Sequence, residues 1–266
     1  SPVGSPFDCL LIDLDDTLYP GNTGIGPALR RNIDEFLVAR FGLAADKAAA
    51  LRADLFRSHG STLAGLVVLG HDVHPDEYHS YVHGRLPYDV ITTDPQLAAA
   101  LQSMPQRKIL FTNSDRAHMK RALERLGVDE ACFDGVVCFE TMNPHLFGEE
   151  LEGEDDEAAA ADVDRPAVVL KPSVHAFVAA LRVAGTNPRR TLFLDDSERN
   201  IAAGKALGLR TFIRLACERP VLKLTDAESL VAPSQFSVSS LSVVVGRVIR
   251  STDEISESIR WPVRAD

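Results

Sequence analysis

Cys9-Leu10-Leu11-Ile12-Asp13-Leu14-Asp15-Asp16-Thr17 is the stretch that decides how this chain is read. Cys9 to Ile12 is short, apolar and bounded by polar residues, as a buried parallel strand should be. The carboxyl ends of such strands are where open α/β sheets build their sites. Strand alternation predicts that Asp13 and Asp15 point the same way and Leu14 points away. Two same-facing carboxylates repel unless something separates their roles. A bound Mg²⁺ is one answer, and a pair in which one group attacks while the other carries the proton is another. An acidic turn capping the next segment is the plain alternative, and it would suffice if the stretch stood alone.

Three further stretches carry the same signature. Ile109-Leu110-Phe111-Thr112-Asn113-Ser114 is an apolar strand ending in hydroxyl and amide groups. Leu170-Lys171-Pro172-Ser173 offers one cation at a helix start, and Leu192-Phe193-Leu194-Asp195-Asp196 is a third strand ending in paired carboxylates.

Between the first two stretches the signals are helical. Leu29, Ile33, Phe36 and Leu37 fall at helical spacing, as do Leu51 and Leu55 in a segment ending at Gly60. Ser61 is a good N-cap for a short apolar helix closing at Gly70, and Asp94-Pro95 is a cap followed by proline in the first turn. Gly21, Gly24 and Gly26 have the wrong order for a dinucleotide fingerprint and read as a hinge into this insert. After Thr112 the strand and helix alternation returns. Asp115 can cap a helix through Leu126 that ends at Gly127, and Gly135 to Cys138 reads as the next strand. Alternation of this kind implies a parallel, doubly wound, Rossmann-like α/β sheet with an inserted helical module.

Composition narrows the rest. With 266 residues, 45% apolar content and a formal charge of −10, the chain can bury a full core, and its acidity disfavours general nucleic-acid binding. No apolar run approaches the ~20 residues of a membrane span. Ser1-Pro2-Val3-Gly4 lacks the basic and apolar blocks of a secretory signal, and Cys9, Cys132, Cys138 and Cys217 show no CxxC spacing. Reduced cysteines and a cytoplasmic location are therefore expected, with the oligomeric state left open. His71, His74, His79 and His83 fit no standard zinc spacing and read as exposed loop histidines. Glu149 to Asp156 is a solvated acidic run, and Ser237 to Val245 is a β-prone window.

Taken in order, the four stretches resemble the haloacid dehalogenase-like hydrolase superfamily: a nucleophilic Asp with a second Asp two residues on, then a Thr or Ser, a Lys, and an acidic metal-binding pair. The resemblance implies a core over 7–19 and 103–250 and a helical cap of the C1 type over 20–102 that covers the site and selects substrate. The acidic loop at 149–165, an unmatched stretch at 214–244 and a tail at 251–266 depart from that pattern, although Val245-Gly246-Arg247 resembles its continuation. It implies Asp13 as nucleophile and Asp15 as proton donor and acceptor. Thr112, Asn113 and Lys171 are implied as phosphate-binding groups. Mg²⁺ would be held by Asp13, a backbone carbonyl at Asp15, and Asp196 or Asp195.

Within the superfamily, Asp13 to Pro20, Gly60-Ser61-Thr62-Leu63-Ala64-Gly65-Leu66 and Val82-His83-Gly84-Arg85-Leu86-Pro87-Tyr88 look like the pyrimidine 5′-nucleotidase-like branch. Gly70 to His79 is most similar to plant xanthosine monophosphate phosphatases. This implies hydrolysis of a nucleoside 5′-monophosphate, XMP first, with a pyrimidine nucleotidase acting on UMP or CMP, or a general phosphomonoesterase, as the alternative. A catalytically weak regulatory protein on the same fold is a third reading. Ser61, Thr62, His83 and Arg85 are the cap residues proposed to meet substrate. Ser61 also reads as a plain helix cap and Arg85 as a loop anchor on an acidic partner.

Overall fold

In the computed structural model, which describes residues 5–148 and 165–213, the apolar strand-like runs assemble into one parallel sheet. Its strands are β1 (Cys9–Ile12), β2 (Arg107–Phe111), β3 (Gly135–Val137), β4 (Thr191–Asp195) and β5 (Arg210–Ile213). They lie in the order β3-β2-β1-β4-β5, with Cys9 in register with both Arg107 and Thr191. The first strand is thus the middle of the sheet. The acidic run, the stretch from 214 to 244 with Cys217 and the β-prone window, and the tail lie outside the described residues.

Alternation along the strands builds two apolar faces. Cys9, Leu11, Ile109, Phe111 and Phe193 share one buried cluster with Phe139 of α7 (Phe139–Met142) and with Ala176, Phe177 and Ala180 of α8 (Val174–Ala184). Leu10, Ile12, Leu110, Leu192 and Leu194 share another with Met119, Leu123 and Leu126 of α6 (Arg116–Leu126). Helices therefore cover both faces, which is why the strands read as continuous apolar runs. Asp13, Thr112 and Asp195 emerge at the same carboxyl edge of β1, β2 and β4.

The insert consists of α1 (Ile25–Phe41), α2 (Ala45–His59), α3 (Thr62–Val68) and α4 (Pro75–Val82). Phe36, Leu37, Leu55, Leu63, Leu66, Tyr78 and Val82 are buried. The Asn32 amide ties α1 to the end of α4 by donating to the Val82 carbonyl at 2.8 Å. Gly24 takes φ 98° at the mouth of α1, a left-handed turn that glycine enters without a Cβ penalty. Following the insert, α5 (Pro95–Ser103), capped by Asp94, buries Leu97 and Leu101 in the same cluster as Leu10 and Leu110. Sequence spacing groups this helix with the cap, whereas its apolar face belongs with the sheet.

Two expectations need correction. His79 and His83 are not exposed loop residues: one lies on α4, the other follows its last turn, and both are buried because a helix stacks positions i and i+4 on one face. The strand alternation proposed for Asp13 and Asp15 also stops early. β1 ends at Ile12, and the chain then turns, with Thr17 and Leu18 N–H groups donating to the Leu14 carbonyl and Asp16 in the left-handed region at φ 60°. Cys9, Cys132 and Cys138 are free thiols, and no described helix is long and apolar enough to cross a membrane.

Candidate active site

Lys171 is the centre of the constellation. Its buried ammonium donates to Asp13 Oδ1 at 2.7 Å, Asp195 Oδ2 at 2.8 Å and the Phe111 carbonyl at 2.7 Å. Three strand ends are thereby joined through one cation. Nearby carboxylates raise the Lys171 pKa against the opposing pull of burial, so it stays charged. Its position is fixed by Asn113, whose side-chain oxygen accepts from the Lys171 N–H at 2.8 Å and whose amide donates to the Lys171 carbonyl at 3.1 Å. The Asn113 side chain therefore serves the lysine, which leaves its main chain for any anion. Thr112 is buried, with its hydroxyl accepting the Ser114 N–H at 3.1 Å.

Asp13 and Asp15 share the site without sharing a partner. Asp13 Oδ2 accepts from the Thr17 hydroxyl at 3.0 Å, on the side away from the lysine contact. Asp15 accepts from Ser114 Oγ at 2.6 Å, contacts His118 Nε2 at 2.6 Å, and takes a short hydrogen bond from the Tyr19 hydroxyl. Burial raises the Asp15 pKa, but His118 and the three hydrogen bonds outweigh it and hold the group well below the usual carboxylate range. Burial likewise lowers the His118 pKa and Asp15 more than restores it, so the net direction is upward. His118 Nδ1 is also bonded, to the Tyr88 hydroxyl at 2.8 Å.

The acidic pair after β4 divides its work. Asp195 is fully buried and accepts from Lys171, the Ser197 N–H at 2.8 Å and the Asn200 amide at 3.0 Å. Asn200 sits on α9 (Glu198–Ala206), which lies close against the sheet at Gly204, where a Cβ would come within 2.9 Å of the Phe193 ring. Asp196 is only partly buried. Burial, followed by repulsion from Asp195 and Asp16, pushes its carboxyl up to about 6. Asp13 is pushed up to about 8 by burial, with Asp195 and Asp15 adding to it against the pull of Lys171.

Burial is the larger cause of both shifts, and repulsion among the neighbouring carboxylates adds to it. Carboxylate oxygens of Asp13, Asp195 and Asp196 lie within 4.8 Å of one another, an all-oxygen donor set that suits a hard divalent cation such as Mg²⁺.

The cap residues are placed unequally. His83 comes to the core, where its Nδ1 makes a short hydrogen bond to Asp115 Oδ1 and its ring packs 4.6 Å from that of His118. Ser61 accepts from the Ala64 N–H at 2.9 Å as the cap of α3, and Thr62 is buried against the Tyr78 hydroxyl. Arg85 is half exposed, 3.0 Å from Glu35 and stacked over the Tyr81 ring. Sequence reasoning passed over Tyr19, Tyr88 and His118, read His79 as an exposed loop residue, and took Asp115 only as a helix cap. His118 is the position that helical phase could have revealed, since it lies one turn inside a helix beginning at the strand end.

Among solved structures, the chain is similar to HAD-hydrolase YfnB from Bacillus subtilis, bound to magnesium, at 18% identity and TM-score 0.43 over 77% of this chain and 85% of that one. It is similar to HAD family enzyme bt-2542 from Bacteroides thetaiotaomicron, in complex with magnesium and inorganic phosphate, at 18% identity and TM-score 0.42 over 80% and 96%. L-2-haloacid dehalogenase from Xanthobacter autotrophicus matches at 14% identity and TM-score 0.40 over 77% and 76%. The model of the haloacid dehalogenase-like hydrolase family matches residues 7–208, spanning β1 and the cap through to the end of α9, and the chain belongs to that family.

Proposed function

We propose that this hydrolase is a Mg²⁺-dependent phosphatase that cleaves a nucleoside 5′-monophosphate, with XMP the preferred substrate, giving a nucleoside and phosphate. The observation that carries the phosphatase reading is the Asp15 environment. A carboxylate two residues after Asp13, bonded to a histidine, a serine and a tyrosine, is a built proton-handling group. A dehalogenase of the resembled superfamily does without an acid at this position.

In this reading Asp13 attacks phosphorus and forms an aspartyl-phosphate while the ester oxygen leaves. The leaving oxygen takes a proton from the Asp15–His118 pair, which holds one proton between its two members. Water then gives a proton back to that pair as it attacks the phosphoenzyme, restoring the Asp13 carboxylate. Lys171 offsets charge as the phosphoryl group transfers, and Thr112 and the Asn113 main chain line the same strand end. Mg²⁺, held by Asp13, the Asp15 carbonyl and Asp196, would neutralise phosphate oxygens and keep the crowded carboxylates ionised.

The nucleotide assignment rests on the cap stretches Gly60 to Leu66, Gly70 to His79 and Val82 to Tyr88. Phosphate release across XMP, GMP, UMP, CMP, a sugar phosphate and a small aryl phosphate tests it. XMP is expected to give the highest kcat/KM. Faster turnover of UMP or CMP would move the assignment to a pyrimidine nucleotidase, and turnover of none would remove the phosphatase reading.

A further inference from the structure

A column of imidazoles crosses from the cap to the core. His79 and His83 stack with ring centroids 5.3 Å apart and planes 4° from parallel, and His83 in turn packs against His118. The two cap histidines are spaced i and i+4, the arrangement that presents two nitrogens on one helix face. Facing them is Asp115, which sits between β2 and α6. Its Oδ2 caps α6 by accepting from the Ala117 and His118 N–H groups, while Oδ1 meets His83. One ligand atom from each of His79, His83 and Asp115 lies within 4.8 Å of the others, and each residue is more than nine-tenths buried.

His79 is the informative member. It is 8% exposed, and among the described residues its ring makes aromatic contacts with Tyr78, His83 and Phe139 but no hydrogen bond. With no hydrogen-bonded partner among the described residues, its ring nitrogens remain available to a ligand. We infer that His79, His83 and Asp115 form a second metal site, for a borderline divalent transition ion such as Zn²⁺, that clasps the cap to the core.

Chemistry separates this site from the carboxylate cluster around Asp13. Two imidazoles and one carboxylate select zinc-like ions, whereas an all-oxygen set suits Mg²⁺. Burial lowers both histidines, His79 to about 3, and so keeps them as neutral ligands. Burial raises the Asp115 pKa, and the hydrogen bond with His83 leads the opposing causes that hold it below the usual carboxylate range. Ligand bonds of about 2.0–2.2 Å would draw the three side chains inward from their present separation. Since two ligands come from the cap and one from the core, the ion would add a bond between two parts of the fold that already meet through side-chain packing and hydrogen bonds such as His83 to Asp115. The inference is independent of which substrate the hydrolase takes.

The test uses the full chain, stripped with chelator and held in excess Mg²⁺, titrated with Zn²⁺ by calorimetry and with Co²⁺ by visible absorption. One equivalent is expected to bind, with the d–d bands of a low-symmetry nitrogen and oxygen site and a raised Tm. His79→Gln and Asp115→Asn, the latter keeping a good N-cap, should each weaken binding by at least about 10-fold, while Asp13→Asn should leave it unchanged. Loss in Asp13→Asn with retention in His79→Gln would place the ion at the carboxylate cluster and overturn the inference. So would the absence of Zn²⁺ binding to wild type under excess Mg²⁺.

Discussion

His118 Nε2 lies 2.6 Å from Asp15 Oδ1, across 103 residues of sequence. The contact joins the turn after β1 to the first turn of α6, and it places the general acid–base candidate against an imidazole able to share its proton. His118→Asn should lower kcat by about 10²-fold while changing KM by less than about threefold, because proton transfer is lost and substrate contacts are not. Steady-state kinetics on XMP and an aryl phosphate check this. An equal fall in kcat/KM carried by KM alone would reassign His118 to binding.

The same pair sets a pH dependence of stability. His118 has a raised folded pKa, so its contribution is complete below its ordinary value near ~6.5 and is lost as pH climbs through the raised one. Asp15 has a depressed folded pKa, so its contribution is complete above ~3.9 and is lost as pH falls through the depressed value. Both are therefore at full strength between ~4 and ~6.5. Urea unfolding of wild type and His118→Asn should differ most near pH ~5 and converge as pH climbs through the raised His118 value. A gap that widens with rising pH would contradict the pair.

Asp13→Asn should abolish turnover, by at least about 10⁴-fold, and leave no acid-stable phosphoenzyme, since the amide keeps the shape but not the nucleophile. Near-UV circular dichroism should remain that of wild type. Residual turnover within tenfold of wild type would show that another group attacks.

Lys171→Met should cost about 3–5 kcal/mol in the metal-free protein, because removing one partner of a buried ion pair strands the other charges. Here Asp13 and Asp195 would both be stranded. Mg²⁺ should recover part of the loss. Denaturant midpoints with and without Mg²⁺ measure it, and a loss below about 1 kcal/mol would mean the cation is not holding the strand ends together.

Asp195 and Asp196 should separate cleanly. Asp196→Asn should raise the Mg²⁺ concentration for half-maximal activity about 10-fold or more with little change in Tm. Asp195→Asn should lower Tm, since that carboxylate already serves Lys171, Ser197 and Asn200. The reverse pattern would exchange their roles.

Arg85→Ala tests the cap. An exposed pair such as Arg85–Glu35 contributes only about 0–1 kcal/mol, so Tm should barely move. If Arg85 meets the base, XMP turnover should fall at least about 10-fold while aryl phosphate turnover holds, because the cost of an unpaired base carbonyl falls on the nucleotide alone. Equal, small losses on both would leave Arg85 as an anchor of α1.

Local rules made the core legible. Strand ends at Ile12 and Phe111, caps at Ser61, Asp94 and Asp115, and the glycine stops at Gly60 and Gly127 all follow from short-range chemistry that needs no tertiary context. What stayed hidden was each residue whose role comes from a distant partner. Asn113 reads as a phosphate ligand until Lys171 arrives from 58 residues away to use its amide. His79 and His83 read as solvent-facing until α4 is laid on the core. Asp115 shows its capping oxygen in sequence but not the one that meets His83, 32 residues upstream.

β1 and β2 lie side by side, and α5 with its apolar face on the sheet already supplies a helix for the crossover between them. The four preceding helices are therefore an excursion that the sheet does not require for its own closure. Because lengthening a loop twofold adds only about 0.6 kcal/mol of closure entropy, such an excursion can grow, shrink or be replaced at small thermodynamic cost. Modularity of this kind lets the inserted helices change while the carboxyl edge of the sheet is held still. It also marks the segments around Gly24 and Thr93 as natural seams for grafting a foreign cap onto this sheet.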